Sequence, residues 1–192
     1  ANYGSITGNG LVLAGGGALV NGVGGQITNI AGNAVTAIGG AATVVDAGSL
    51  SGSIDAVSFA AGFANRMELQ ASASVSGIVD GGNSIGSAVA STLEVSGGVF
   101  VGNLGTQFVD FARITIAPGA YWQLTGSNAL AAGATLANNG GEISSGGGLV
   151  VLETLTNGGN ITGNGVYLAP GGLLDNLAGG RITNQHGGYG IN

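Results

Sequence analysis

Residues 4–29 read GSITGNGLVLAGGGALVNGVGGQITN, and residues 159–184 read GNITGNGVYLAPGGLLDNLAGGRITN. Aligned without a gap, 17 of the 26 positions are identical. A repeat of this quality governs the fold, because each copy is then a supersecondary unit that packs against others like it. The kept positions are Gly, Asn, Thr and alternate aliphatics, the residues that turns and a packed core need. The exchanged ones include Val20 against Asp175 and Gln26 against Arg181. No reactive group is among the kept set.

A shorter period runs inside each copy. The pair Ile6-Thr7 returns as Ile27-Thr28, and Ile161-Thr162 returns as Ile182-Thr183, both after 21 residues. A weaker echo, GSLSG over residues 48–52, places Leu50 a further 23 residues after Ile27. Periods of about 20–30 residues belong to solenoids, in which one unit buries its apolar side by stacking on the next. Gly accounts for 42 of 192 residues. That content disfavours helical repeats, since Gly is costly in helix interiors. With 44% hydrophobic residues and no three-residue glycine period, disorder and a collagen-like triple helix are excluded as well.

The local unit is a short apolar alternation, a tight corner and another short alternation. It is seen in LVLAGGGAL (residues 11–19), VSGGVFV (95–101), ITIAPGAYW (114–122) and VYLAPGGLL (166–174). Pro118-Gly119 and Pro170-Gly171 suit type II turns, where Pro presets the first φ and Gly accepts the positive second one. Gly15-Gly16 stands in the place of Pro170-Gly171 and is expected to make the same corner. Asn-Gly pairs beginning at Asn9, Asn21, Asn139, Asn157 and Asn164 are expected to supply further corners with φ above zero. Strands this short, turned this often, predict an all-β fold, a right-handed parallel β-helix of eight or nine coils. The whole of 1–192 is read as a single β-solenoid segment, and its abrupt start and stop read as part of a longer protein.

Residues 53–127 depart from the simple repeat and hold every Phe, the one Trp, and Arg66 and Arg113. Alternation there puts Ile114, Ile116, Ala120, Trp122 and Leu124 on one face and Thr115, Tyr121 and Gln123 on the other. The first set is expected to fill a wider coil. Tyr121 and Gln123 are the candidate surface contact, with Tyr121 placed to stack on a sugar ring.

The stretches DAVSFAAGFANRM (55–67), VDGGN (79–83) and LGTQFVDF (104–111) resemble passenger regions of autotransporter-like, Gly-rich β-strand-repeat surface proteins of Gram-negative bacteria. The resemblance implies a β-helix exported to the cell surface and used in adhesion, aggregation or biofilm formation. It also implies that membrane anchorage lies in a translocator barrel outside this chain.

Three arginines, no lysine and a net charge of −6 cannot build a phosphate-neutralising surface, so no nucleic acid is expected as partner. No apolar run is long enough to insert directly in a membrane. Without cysteine there are no disulfides, thiolate metal sites or Cys nucleophiles. The sole histidine, His186, cannot form a His-based triad or a multi-His metal site.

Nine acids are spread about one per coil. Stacking of coils offers a way to bring two of them together as a hydrolytic pair, Asp46 with Glu68 for example, but single charges per coil read as solubilising faces. One Thr per coil at Thr7, Thr28, Thr162 and Thr183 is thin for an ice-binding face.

The expectation is therefore a non-catalytic extracellular structural or adhesive solenoid without cofactor or metal. Its partners would be host-cell, matrix or polysaccharide surfaces. The alternatives are a head-to-tail filament subunit, self-associating through its end coils, and a carbohydrate-binding or carbohydrate-active β-helix.

Overall fold

In the computed structural model, residues 1–184 are described, and His186 and residues 189–192 lie outside them. Among the described residues every element is a strand, and every strand pairing is parallel. The first coil comprises β1 (Ser5–Thr7), β2 (Leu11–Ala14) and β3 (Gly17–Asn21), and the second β4 (Gln26–Asn29), β5 (Val35–Ile38) and β6 (Ala42–Asp46). The third and fourth use one long strand across a corner, as β7 (Ser49–Ser58) with β8 (Arg66–Leu69), then β9 (Ser74–Asp80) with β10 (Thr92–Val95). The fifth holds β11 (Val99–Gly102), β12 (Phe108–Val109) and β13 (Arg113–Ile116), and the sixth β14 (Tyr121–Leu124), β15 (Asn128–Leu130) and β16 (Thr135–Asn138). The seventh holds β17 (Glu142–Ser145), β18 (Leu149–Val151) and β19 (Thr154–Asn157), and the eighth β20 (Asn160–Gly163), β21 (Val166–Leu168) and β22 (Leu173–Asn176). Finally, β23 (Arg181–Asn184) begins another turn.

The solenoid thus has about eight turns and three faces. The repeat period is the coil period: Ile6 lies over Ile27, Ile27 over Leu50, Leu50 over Val75, and Ile161 over Ile182. Side-chain alternation sends these ranks inward. Ile27, Leu50, Met67, Leu93, Leu136 and Leu155 are all at most 1% exposed. Full burial of such a side chain contributes about 1.5–3 kcal/mol.

One face is a single eight-stranded sheet running the length of the solenoid, from β3 through β6, β8, β10, β13, β16 and β19 to β22. The other two are each divided near the fifth coil. On one, β1, β4, β7 and β9 are followed by a separate sheet of β11, β14, β17, β20 and β23; on the other, β12 closes the first sheet and β15, β18 and β21 form the second.

At the division aromatic rings fill the interior. Phe100, Phe108 and Trp122 meet at centroid distances of 5.5, 6.3 and 5.8 Å, two of the three pairs edge to face. The Gln107 amide bridges the gap by donating to the Val75 carbonyl at 3.1 Å. Ile114, Ile116, Ala120, Trp122 and Leu124 are all at most 2% exposed. The first two lie on β13 and the last two on β14, so the inferred single face turns a corner at Pro118-Gly119.

The Pro-Gly corners have the expected geometry. The Ala120 N–H donates to the Ala117 carbonyl at 3.1 Å and Gly172 to Ala169 at 2.8 Å, with Gly119 and Gly171 at φ of 77° and 92°. The Gly15-Gly16 corner does not match them. Gly15 itself sits at φ 92°, which the proline ring at the equivalent Pro170 forbids, and its turn closes instead from Gly16 N–H to the Leu13 carbonyl.

Two of the five Asn-Gly pairs also differ from expectation. Gly22 and Gly158 are not among the positive-φ glycines, and Asn21 and Asn157 are fully buried. Both asparagines point inward as rungs of side-chain ladders. At one end of the long sheet, Asn2 Nδ2 donates to Asn21 Oδ1 and Asn21 Nδ2 to Asp46 Oδ1, each at 2.8 Å. At the other end, Asn138 Nδ2 donates to Asn157 Oδ1 and Asn157 Nδ2 to Asn176 Oδ1, again at 2.8 Å. Leu69, Val95 and Ile116 occupy the same rank in the middle coils. The ladder amides also explain why glycine must follow: a Cβ on Gly48 would overlap the Gly25 carbonyl and the Asn21 amide.

Candidate functional site: the outward ranks of the divided face

Strands β14, β17, β20 and β23 read YWQL, EISS, NITG and RITN. In each, the second residue, Trp122, Ile143, Ile161 or Ile182, faces inward, so the first and third face out. Register then assembles two outward ranks from residues far apart in sequence. One is Val99, Tyr121, Glu142, Asn160 and Arg181; the other is Val101, Gln123, Ser144, Thr162 and Thr183. Neighbours in a rank are ~4.8 Å apart along the axis. Tyr121 is half-buried and Gln123 exposed. The predicted pair is thus side by side on β14, but each belongs to a rank that the sequence reading did not assemble.

Two shallow depressions flank the first rank, and side-chain-free corner glycines line one of them. One depression of about 210 Å³ is lined by Gly119, Ala120, Tyr121, Gly140, Gly141, Glu142 and Asn160. A second, of about 260 Å³, is lined by Asn160, Thr162, Arg181 and Thr183. They meet at Asn160, the first on the corner side of the rank beside Tyr121 and Glu142, the second between the two outward ranks beside Arg181. Among the described residues, the side-chain polar groups of Tyr121, Gln123, Glu142, Asn160 and Arg181 have no hydrogen-bond or ion-pair partner. The ladder asparagines, by contrast, are committed to one another.

The first half of the same face carries ranks of a different composition. Ser5, Gln26, Ser49 and Ser74 form one, and Thr7, Thr28, Ser51 and Ser76 the other. An equivalent depression of about 280 Å³ lies there, lined by glycines with Gln26, Ser49, Ser72 and Ser74.

Apart from Glu142 and Arg181, the charged residues are arranged elsewhere. Asp46 and Glu68 do not come together: Glu68 stands beside Val45 and points outward, whereas Asp46 stands beside Leu69 and points into the core. Glu68 is instead next to Glu94 in register, and Arg66 Nη2 joins both, at 2.8 and 2.6 Å. Burial opposes ionisation of Glu68, but hydrogen bonds from Gln70, Arg66 and Ser96 outweigh it and hold the pKa below its ordinary value.

Burial pushes Asp55 and Asp110 up, and in both cases the Asp80 carboxylate adds to the rise. Burial also raises Asp46, against hydrogen bonds from Asn21 and Gly48. Among the described residues no three His, Asp or Glu side chains are grouped to hold a metal ion.

A cavity of about 250 Å³ opens where the third face divides, lined by apolar groups including Leu104, Phe108, Phe111 and Leu130, with Asp110 among them. Comparison with known protein families, curated proteins and solved structures finds no match for this chain.

Proposed function

We propose that this chain is a non-catalytic, extracellular adhesive segment of a bacterial cell surface, a stiff solenoid that presents repetitive side-chain ranks to whatever it contacts. The observation that carries the reading is the division of labour between its two sides. Inward ranks are filled with aliphatic, aromatic and laddered amide side chains, while outward ranks on the divided face hold mostly polar groups in register over successive coils. Such a surface contacts an extended partner at many weak points, and their sum gives avidity without any deep pocket.

The placement of Asp46, Glu68 and Glu94 is consistent with this. Glu68 and Glu94 are tied to one arginine, and Asp46 faces the core. Glycosidase chemistry would instead need two carboxylates facing each other across a cleft. Export agrees with the resemblance carried by residues 55–67, 79–83 and 104–111.

Beads coated with the purified chain test the proposal. Retention under flow on host-cell layers, matrix films or polysaccharide films is expected, with no reducing sugar released. Beads that wash off every surface, or sugar release from a polysaccharide, would refute it.

A second reading, self-association, has its own observation. Ile6, Leu11 and Leu13 of the first coil are half-buried, whereas their rank partners Ile27, Val35 and Ala37 are at most 1% exposed. An open apolar coil face of this kind accepts another coil. Sedimentation equilibrium over a concentration series is expected to show mass rising with concentration, and a constant monomer mass removes this reading.

A further inference from the structure

We propose that the outward rank from Tyr121 to Arg181, with the depressions that flank it forming a shallow trough, binds a straight, neutral, β-linked polysaccharide, whose rings run along the solenoid axis. The inference rests on the adhesive reading above and names the partner of one face.

The groups present suit that ligand. Tyr121 offers an aromatic surface whose negative π face attracts the polarised C–H edges of a pyranose ring. Beyond it along the rank come a carboxylate acceptor in Glu142, an amide that both donates and accepts in Asn160, and a guanidinium in Arg181 whose planar fork spans two adjacent hydroxyls. Gln123, Ser144, Thr162 and Thr183 line the parallel rank and add hydroxyl and amide partners. None of the five principal side chains is satisfied by a protein partner among the described residues. Their hydrogen-bonding capacity is available to a ligand without breaking an existing contact.

Geometry restricts the class further. Tyr121 to Arg181 is three rung steps, about 14 Å at ~4.8 Å each, or roughly three hexose rings end to end. The rank is continuous, the strands being in parallel register with no bulge between β14 and β23. A β-linked chain that extends as a ribbon follows such a line, and a coiled α-linked chain leaves it after one ring.

Charge restricts it too. Glu142 and Arg181 cancel within the trough, and the chain as a whole carries −6, so a polyuronate is repelled rather than drawn in. The matching trough in the first half serves as an internal control. It has Gln26 where the second half has Arg181, and no aromatic side chain or carboxylate in its lining.

The test is affinity electrophoresis of the chain in native gels containing hydroxyethylcellulose, dextran or alginate, with titration calorimetry against cellohexaose. Retardation in hydroxyethylcellulose is expected, with none in dextran or alginate. Tyr121→Ala should weaken cellohexaose binding about ten-fold, the loss of one aromatic contact. Arg181→Gln should weaken it several-fold, and Ser49→Ala in the control trough should leave it unchanged.

All three side chains point outward, so unchanged far-ultraviolet dichroism and melting temperature will show that the fold is kept. Absence of retardation in hydroxyethylcellulose, retardation in alginate alone, or full binding by Tyr121→Ala would overturn the proposal. Beads that still adhere in the assay above while cellohexaose fails to bind would sink this inference alone. Beads that fail to adhere anywhere would remove the adhesive reading on which it rests.

Discussion

Asp46→Asn is expected to stabilise the protein, and the ladder geometry gives the size of the effect. Asp46 is 0% exposed. Its Oδ1 accepts from Asn21 Nδ2 at 2.8 Å and from Gly48 N–H at 3.1 Å, while its Oδ2 is buried without a partner. The other ladder residues show what belongs there. Asn2, Asn21, Asn138 and Asn157 each donate from Nδ2 to the carbonyl of a residue opening a divided-face strand, namely Gln26, Ser49, Asn160 and Arg181. By register, the corresponding carbonyl for position 46 is that of Ser74, which follows Ser49 in the same rank. An ionised Oδ2 cannot donate to that carbonyl, and an amide can.

Removing a buried, unsatisfied acceptor and supplying a donor in its place is worth about 1–3 kcal/mol. For a chain of this length a 2 kcal/mol change moves Tm by about 4–8 °C.

The pH dependence follows from the same site. Burial raises the folded-state pKa of Asp46 above its ordinary value of 3.8, with the Asn21 and Gly48 hydrogen bonds only partly opposing it. A raised carboxyl means that the folded state holds its proton more tightly than the unfolded chain. The wild type therefore keeps this contribution in full below the unfolded pKa, and loses it as pH climbs through the folded one. The advantage of Asp46→Asn should be largest at pH 7 and should shrink near pH 4, where the native carboxyl carries its own proton and donates. Urea denaturation of both proteins at the two pH values measures this difference. A less stable variant at pH 7, or an advantage of the same size at both, would refute the argument.

Three further predictions concern other parts of the solenoid. Asn157→Leu breaks the central rung between Asn138 and Asn176 and leaves the Asn138 amide with only the Asn160 carbonyl as acceptor, so a loss of about 2–4 kcal/mol in urea denaturation is expected, and a loss below 1 kcal/mol would show that the ladder carries no weight. Trp122→Ala should cost about 3–5 kcal/mol by opening a cavity beside Phe100 and Phe108. Trp122→Phe should cost clearly less, since the buried Nε1 it removes has no partner, and equal costs would contradict this account. Gly119→Val and Gly171→Val force a β-branched residue to φ of 77° and 92° and should each lower stability by about 1–3 kcal/mol, while exposed Gln26→Arg should stay within ~0.5 kcal/mol, with thermal melts as the check.

Much of the fold is legible in the sequence because it is written locally and then repeated. The 21-residue return of Ile-Thr is the coil period, and the two Pro-Gly corners close as their residue types require. What escaped reading depends on context. An Asn-Gly pair favours a turn on its own, yet Asn21 and Asn157 end strands of the form ALVN and TLTN, where alternation carries the asparagine inward. The recurring Leu-x-Asn at strand ends, also present in TLAN and LLDN, was the available signal. It has physical force only once the next coil supplies an acceptor. Gly15 was misread for a related reason, because its φ of 92° is set by hydrogen bonds to Ile38 and Ala41 around it and not by Gly15 itself.

The candidate site shows the same limit more sharply. Alternation alone places Tyr121 and Gln123 on an outer surface, but no local pattern says that Glu142, Asn160 and Arg181 continue the line. That follows only from coil lengths of 21, 18 and 21 residues between successive rank members, as the register gives them. Coil length varies because insertions are absorbed at the corners without disturbing the strands they connect. Inward positions must still match in size and hydrogen bonding whatever the coil length, since a mismatch there costs stability directly. Outward positions carry no such requirement, which is why Gln26 and Arg181 differ between two otherwise close copies. The side chains free to differ are the ones through which two halves of one face can recognise different things, and the proposed ligand trough is made of them.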